Sequence, residues 1–247
     1  MVSHTQSFSF DLVSDLYIDV WSQPITWDGL GTSLLAVVAG DISSDLDRTI
    51  YELNRIGKAY RQVLYIDGDL EHQNSIHNVH DNRNYIAKKL KNTNITYLHE
   101  QVVCVKNVAF VGANLWWNHL NDECNTSENR SDDNRAFTLH LYDLEYLRLT
   151  VSRLQTVNSI EKIVLVTHTV PNQELVSNVH NGVNFSVDAS EIVEKEDRNE
   201  KMNTWCFGHW TCPIDFQGMR CRYISNPMGY PDDCDGSTYF PLRVSIK

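Results

Sequence analysis

Six apolar residues, Leu34 to Ala39, follow one another without a polar interruption, and Gly40 and Asp41 come directly after them. An unbroken apolar run of this length predicts a strand that is buried on both faces. Gly40 allows the backbone to turn, so Asp41 is expected at the carboxyl end of the strand. Because ligands of open α/β sheets bind at that edge, a carboxylate there favours a cation site.

Four other short apolar runs lead to an acidic residue or a histidine. They extend from Phe8 to Asp15, from Val63 to Asp69, from Ile163 to His168 and from Thr204 to His209. The carboxyl ends of neighbouring parallel strands meet at one edge of a sheet. We therefore expect these side chains to converge, and this convergence is the most informative feature of the sequence.

The remaining pattern predicts helices between these strands and a mixed sheet. Helices are expected near 45–59, with Ser43 or Ser44 as the N-cap, and near 81–91 and 138–156. Closely spaced strands at 95–98, 102–105 and 108–112 favour a meander or hairpins. Polar stretches at 118–137 and 171–201 are expected to be loops, the second with a short helix near 190–195. No repeat or linker is evident, so we expect one domain over residues 1–247.

Composition narrows the classes of partner. The chain has 247 residues with 21 basic and 32 acidic side chains, and 21 − 32 gives a net charge of −11. Such a charge repels phosphate backbones, so nucleic acid is expected only as a substrate at a small site and not along a groove. No apolar run reaches the roughly 18 residues of a membrane span, and no signal peptide is evident, so we expect a cytoplasmic protein without a membrane partner.

The six cysteines have no C-x-x-C spacing, and four of them lie in the last quarter of the chain: Cys206, Cys212, Cys221 and Cys234. The loose spacing favours reduced thiols, with a structural zinc site as the alternative.

The strand-end residues, taken in order, resemble the motifs of the calcineurin-like metallophosphoesterase superfamily, which are D-x-H, G-D, G-N-H-E, a single H after a strand, and G-H-x-H. The corresponding segments here are Asp15 to Tyr17, Gly40-Asp41, Gly68 to Glu71, His168 and Gly208 to Thr211. Any one motif is weak, but five in order extend along nearly the whole chain. The resemblance implies an α/β fold of the metallophosphoesterase type, a sandwich of two mixed β-sheets flanked by helices.

The resemblance also implies two metal positions that share Asp41. One would use Asp41, Asp69, His168 and His209, with Asp69 where the family has asparagine. The other would use Asp15 and Asp41, but Tyr17 and Thr211 replace the two histidines of the family pattern. Leu70 replaces the histidine that assists the leaving group. Three departures therefore fall on one metal position and on the catalytic acid.

The chemistry of the remaining ligands suggests which metal binds. A carboxylate-rich site favours Mn²⁺, with Mg²⁺, Fe or Zn²⁺ as alternatives, and the depleted position would bind weakly. Asp15 would hold a second ion or orient the attacking water. His72 could replace the missing acid, and His77, His80 and His119 are further candidates.

Two classes of function remain open. The leading hypothesis is a metal-dependent phosphoesterase with a reduced metal site, acting on a small phosphomonoester or phosphodiester. The alternative is an inactive pseudophosphoesterase that binds a protein or a nucleotide. A repair nuclease of the same superfamily is disfavoured by the acidic composition.

Overall fold

The computed structural model describes residues 8–73, 79–116, 130–176, 186–232 and 239–246, with the side chains of 130–134 excepted. A five-stranded sheet has the order β11-β1-β2-β3-β4. Its strands are β1 (Phe8–Val13), β2 (Leu35–Ala39), β3 (Gln62–Ile66), β4 (Ile95–Tyr97) and β11 (Leu242–Ile246). Strands β1 to β4 are parallel and β11 is antiparallel to β1, so this sheet is mixed.

A six-stranded sheet has the order β5-β6-β7-β8-β10-β9. Its strands are β5 (Gln101–Val105), β6 (Val108–Gly112), β7 (Lys162–Val166), β8 (Met202–Phe207), β9 (Ile214–Gln217) and β10 (Arg222–Ser225). Strands β6, β7, β8 and β10 are parallel, and the edge strands β5 and β9 are antiparallel to their neighbours. The parallel strands of each sheet therefore present their carboxyl ends at one edge.

Within the described ranges, three α-helices flank the sheets: α1 (Leu46–Ala59), α2 (Val79–Leu90) and α3 (Arg130–Leu154). A single turn of 3₁₀ helix, Leu70–His72, follows β3. A short π-helical segment, Ile192–Glu196, lies in the predicted second loop close to the short helix expected there. None of the helices in the described part of the chain is long and apolar enough to cross a membrane.

The three largest apolar clusters of the described residues form layers on and between the sheets. The two sheets pack face to face through residues such as Phe10 and Phe110, whose rings meet edge to face with centroids 5.3 Å apart. The other face of the first sheet packs against α1 and α2, and that of the second sheet against α3. Alternate side chains of β2 enter different layers, so the strand is buried on both faces as its apolar run predicted.

The structure corrects several boundaries. Leu34 precedes β2 and is 71% exposed, because the buried strand begins only at Leu35. Helix α3 begins at Arg130, so the end of the predicted 118–137 loop is helical, and residues 117–129 lie outside the described part. Strands β5 and β6 form the expected hairpin, but β4 joins the other sheet.

The N-cap of α1 is Asp45 and not Ser43 or Ser44. Asp45 accepts hydrogen bonds from the backbone amides of Asp47 and Arg48. The two serine hydroxyls instead contact the carboxylate of Asp19. The N-cap was therefore predicted one or two residues too early in the sequence. Ser43, Ser44 and Asp45 are adjacent, and serine and aspartate are both common N-cap residues.

Candidate metal centre

Four residues from the ends of four strands meet at the carboxyl edges of the two sheets. Asp41 follows β2, Asp69 follows β3, His168 follows β7 and His209 follows β8. One potential ligand atom of each lies within 4.8 Å of the others. The structure thus brings together the four residues assigned to one metal position from the sequence, two from each sheet.

The contacts within this cluster pair each histidine with a carboxylate. Asp69 Oδ1 lies 2.9 Å from both His168 Nε2 and His209 Nδ1, and Asp41 Oδ1 lies 3.3 Å from His168 Nε2. Burial alone would lower the pKa of His168, but Asp41 and Asp69 raise it well above its usual value. Burial would likewise raise the pKa of Asp69, but His209 and His168 lower it. The carboxylates and imidazoles of the cluster therefore stabilise one another in their charged forms, and a bound metal ion would take the place of the imidazole protons.

The orientation of His168 suits metal binding. Its Nδ1 lies 2.9 Å from the carbonyl oxygen of Ala39, which can only accept a hydrogen bond. Nδ1 therefore carries a proton, and Nε2, which faces the carboxylates, is the nitrogen that a metal ion would use. A backbone carbonyl that fixes the tautomer in this way is a common partner of metal-binding histidines.

The backbone segments around the cluster pack tightly against one another, and several residues have strained conformations. Asp15, Tyr17, Asp41 and His209 all have positive φ, between 43° and 67°. At Gly208 an added Cβ would lie 2.7 Å from Asp15 Oδ2 and 3.1 Å from His168 Nδ1. Left-handed non-glycine residues cost about 1–3 kcal/mol each and concentrate at functional sites.

Asp15 lies beside the cluster, and only one of its two carboxylate oxygens accepts a hydrogen bond from the described residues. Its Oδ1 accepts from the backbone amide of His209 at 2.8 Å. Its Oδ2 is buried, and no hydrogen-bond donor for it is found among the described residues. Burial raises the pKa of Asp15 to about 7, against the opposing effect of His168. A buried acceptor without a donor is the arrangement that a bound cation would relieve, so the residues present fit a metal ion.

Tyr17 occupies the position where the family pattern has a histidine, and it contacts the cluster through its hydroxyl. The phenol donates to Asp41 Oδ2 at 3.1 Å, and its ring stacks on Tyr230 with centroids 4.3 Å apart. Leu70 approaches Asp41 Oδ1 only through its backbone amide, at 2.9 Å. Thr211 is half-buried.

His72 is not placed as a catalytic acid. Its imidazole is buried, with Nε2 2.7 Å from Asp67 Oδ2 and Nδ1 3.2 Å from Asn82 Nδ2. Arg83 also contacts Asp67, at 3.1 Å. Both ring nitrogens of His72 are thus engaged in a buried polar network, and the structure does not support the expected swing of His72 into the mouth of the site. Of the other candidates, His80 is exposed on α2, and His77 and His119 lie outside the described residues.

A second group of potential ligands, His99, Glu100 and Asp143, lies near this network. Burial lowers the pKa of His99 to about 4 and raises that of Asp143 to about 7, and the positive charge of Arg83 acts to lower both. Arg83 therefore already supplies a cation beside this group, and we do not assign a metal to it.

Sequence reasoning missed the role of Glu71. Both of its carboxylate oxygens accept backbone hydrogen bonds next to the cluster, and burial raises its pKa to about 8. Its position two residues after Asp69, in the G-D-L-E segment, indicated that Glu71 lies near the cluster. The sequence could not show which backbone amides its side chain reaches.

Comparisons with known proteins define the fold. No protein-family profile matches the chain. An uncharacterized protein of Acanthamoeba polyphaga mimivirus is 22% identical over 224 residues, which cover 77% of this chain and 76% of that protein. The crystal structure of phosphopantetheinyl hydrolase from Mycobacterium tuberculosis aligns with a TM-score of 0.69 at 14% identity, covering 96% of this chain and 95% of the enzyme.

A dimetal phosphatase from Danio rerio aligns with a TM-score of 0.60 at 11% identity, covering 97% of this chain and 92% of the phosphatase. The chain shares the fold of both enzymes. The predicted α/β sandwich of two mixed sheets is therefore confirmed, while at these identities the likeness establishes the fold alone.

Proposed function

We propose that this protein is a metal-dependent phosphoesterase that hydrolyses a small phosphomonoester or phosphodiester at a centre for one metal ion. The observation that carries the proposal is the convergence of Asp41, Asp69, His168 and His209 within 4.8 Å at the joined edges of the two sheets. A divalent cation held there would polarise a phosphoryl oxygen and lower the pKa of a bound water. We propose Mn²⁺, because two carboxylates and two imidazoles suit it, with Mg²⁺, Fe and Zn²⁺ as alternatives.

The contacts of Tyr17 support a single ion. The hydroxyl of Tyr17 donates to Asp41 Oδ2, so this oxygen already has a hydrogen-bond partner. Neither Tyr17 nor Thr211 supplies an imidazole there. Asp15 is then proposed to orient the attacking water through Oδ2, which has no donor among the described residues.

The remaining features of the proposal concern location and partners. We propose a cytoplasmic protein with no membrane partner, which the free thiols of the four described cysteines support: Cys104, Cys206, Cys212 and Cys221. Cys124 and Cys234 lie outside the described residues. The net charge of −11 supports a small phosphoester substrate rather than nucleic acid bound along a groove.

The experiment combines metal analysis with turnover. Wild type, His168→Ala and Asp41→Ala are loaded with Mn²⁺, and metal content is measured together with hydrolysis of p-nitrophenyl phosphate and bis(p-nitrophenyl) phosphate. We expect about one ion per chain in wild type with slow turnover, and a loss of at least 100-fold in turnover for each variant. His80→Ala is the matched control, since His80 is an exposed histidine on α2. Absence of bound metal in wild type would overturn the proposal.

The alternative is a pseudophosphoesterase that binds a protein or nucleotide. The observation that favours it is that His72 is buried and hydrogen-bonded through both ring nitrogens. His72 then does not replace the catalytic histidine of the family pattern, whose position Leu70 occupies. One bound ion without turnover of either substrate would favour this alternative over the enzyme.

A further inference from the structure

One buried carboxylate joins the two loops that carry the aspartates of the cluster. Glu71 is 2% exposed, and its Oε2 accepts from the amides of Gly68 at 2.8 Å and Asp41 at 3.2 Å. Its Oε1 accepts from the amide of Ile42 at 2.8 Å. Three backbone donors therefore converge on the two oxygens of one side chain.

These donors belong to two separate strand ends. Asp41 and Ile42 follow β2, whereas Gly68 follows β3 and precedes Asp69. The two segments approach so closely that a Cβ added at Gly68 would lie 2.6 Å from the amide nitrogen of Asp41. Glu71 bonds to both segments at this closest approach, so the relative position of Asp41 and Asp69 depends on it.

We infer that Glu71 is a positioning residue that sets the spacing of Asp41 and Asp69 for metal binding. This inference rests on the proposed function only in that these aspartates bind the ion. Glutamate suits this place because its two side-chain oxygens can together accept three hydrogen bonds from backbone amides. A glutamine would turn an NH₂ group towards at least one backbone amide, and an aspartate would be one methylene too short to reach both segments.

The test measures Mn²⁺ affinity of metal-free protein by isothermal titration calorimetry in wild type and Glu71→Gln, with unfolding by urea measured in parallel. We expect the Kd for Mn²⁺ to rise 10- to 100-fold in Glu71→Gln while the stoichiometry stays the same, as is typical when residues that orient metal ligands are changed. An unchanged Kd, within twofold, in a folded Glu71→Gln protein would overturn the inference.

Asp11→Asn is the matched control. Asp11 is also buried and its carboxylate accepts from the backbone amides of Thr32 at 2.6 Å and Ser33 at 3.1 Å, at the start of β2 and so at the opposite end of that strand. We expect this control to lose stability and to keep the wild-type Kd for Mn²⁺. An equal loss of affinity in Asp11→Asn would show a general effect of destabilisation and would overturn the inference.

Two further measurements keep the inference testable if Glu71→Gln does not fold. Glu71→Asp keeps the carboxyl group but shortens the side chain by one methylene, and it should also raise the Kd for Mn²⁺. In wild type, hydrogen exchange should show protected amides at Ile42 and Gly68, although both lie outside strands, and fast exchange at these two amides would overturn the inference. Bound Mn²⁺ without phosphoesterase turnover would contradict the proposed function and leave the role of Glu71 intact.

Discussion

The candidate metal centre depends on residues in rarely occupied backbone conformations. Asp15, Asp41 and His209 have φ values of 51°, 56° and 67°. Aspartate tolerates the left-handed region better than most residues, because its short polar side chain bonds locally. The strain lets each strand end turn its carboxylate or imidazole towards the joined edges of the sheets, which a regular strand extension would not do.

Tyr17 is predicted to limit the centre to one ion. In the double variant Tyr17→His/Thr211→His, imidazoles replace the phenol that donates to Asp41 Oδ2 and the hydroxyl of Thr211. We expect the double variant to bind about two Mn²⁺ per chain, against about one in wild type, as measured by elemental analysis after equilibrium dialysis.

The single variant Tyr17→Phe is the control for this prediction. It removes the hydroxyl without adding a ligand, so it should still bind about one ion. Two ions in wild type, or one ion in the double variant, would show that Tyr17 does not determine the number of metals.

At the scale of elements, the first helix begins just after the loop that holds Asp41. Asp45 caps α1 by accepting from the amides of Asp47 at 2.8 Å and Arg48 at 3.2 Å. We expect Asp45→Ala to lower the free energy of unfolding by about 1 kcal/mol, because two amides of the first turn lose their acceptor. Urea unfolding monitored by circular dichroism measures the change.

Asp45→Asn serves as the control for the helix cap, since an asparagine oxygen accepts the same hydrogen bonds. It should lie within about 0.5 kcal/mol of wild type. If alanine and asparagine at position 45 have equal stability, the side-chain cap contributes nothing measurable.

For the whole molecule, pH should change stability through a buried acid on α3. Burial raises the pKa of Asp143 to about 7, although Arg83 and the amide of Leu115 oppose the shift. The unfolded carboxyl titrates near pH 4, so between about pH 4 and 7 the folded state binds more protons than the unfolded state. The stability of the wild type due to this group therefore falls as pH rises through that window, by no more than about 4 kcal/mol.

Asp143→Asn removes this titration and keeps an oxygen for the amide of Leu115. Relative to wild type, the variant should gain stability between pH 5 and pH 8 in urea unfolding. Thr150→Ser, a buried neutral change on the same helix, is the control, and its difference from wild type should not vary with pH. A constant difference for Asp143→Asn as well would contradict the raised pKa.

The sequence predicted the fold class and the main strand ends because burial imposes a strong local pattern. A strand between two apolar layers needs apolar residues at every position, as in Leu35 to Ala39, and the polar residue after it must then lie at the edge. The same reasoning identified Asp41, Asp69, His168 and His209, which the structure places together. Their binding of metal stays a prediction.

The sequence could not predict which side chains would find partners from other elements. His72 looked available beside Asp69, yet Asp67 and Asn82 engage both of its nitrogens. In the same way, neighbouring strands β4 and β5 were expected to lie close together, but they belong to different sheets, because strand pairing depends on long-range contacts that local spacing does not encode.

The order of the elements, the buried strands and the polar residues at their ends are thus determined by the sequence itself, because each follows from the polarity of adjacent residues. The tertiary structure alone decided that the Tyr17 hydroxyl meets Asp41 and that Glu71 joins the loops of β2 and β3. The contacts of Tyr17 and Glu71 with Asp41 link positions 24 and 30 residues apart, so the polarity of adjacent residues could not reveal them. The residue types needed for a metal centre can therefore be identified from the sequence, whereas the distances between their side chains are determined by tertiary packing.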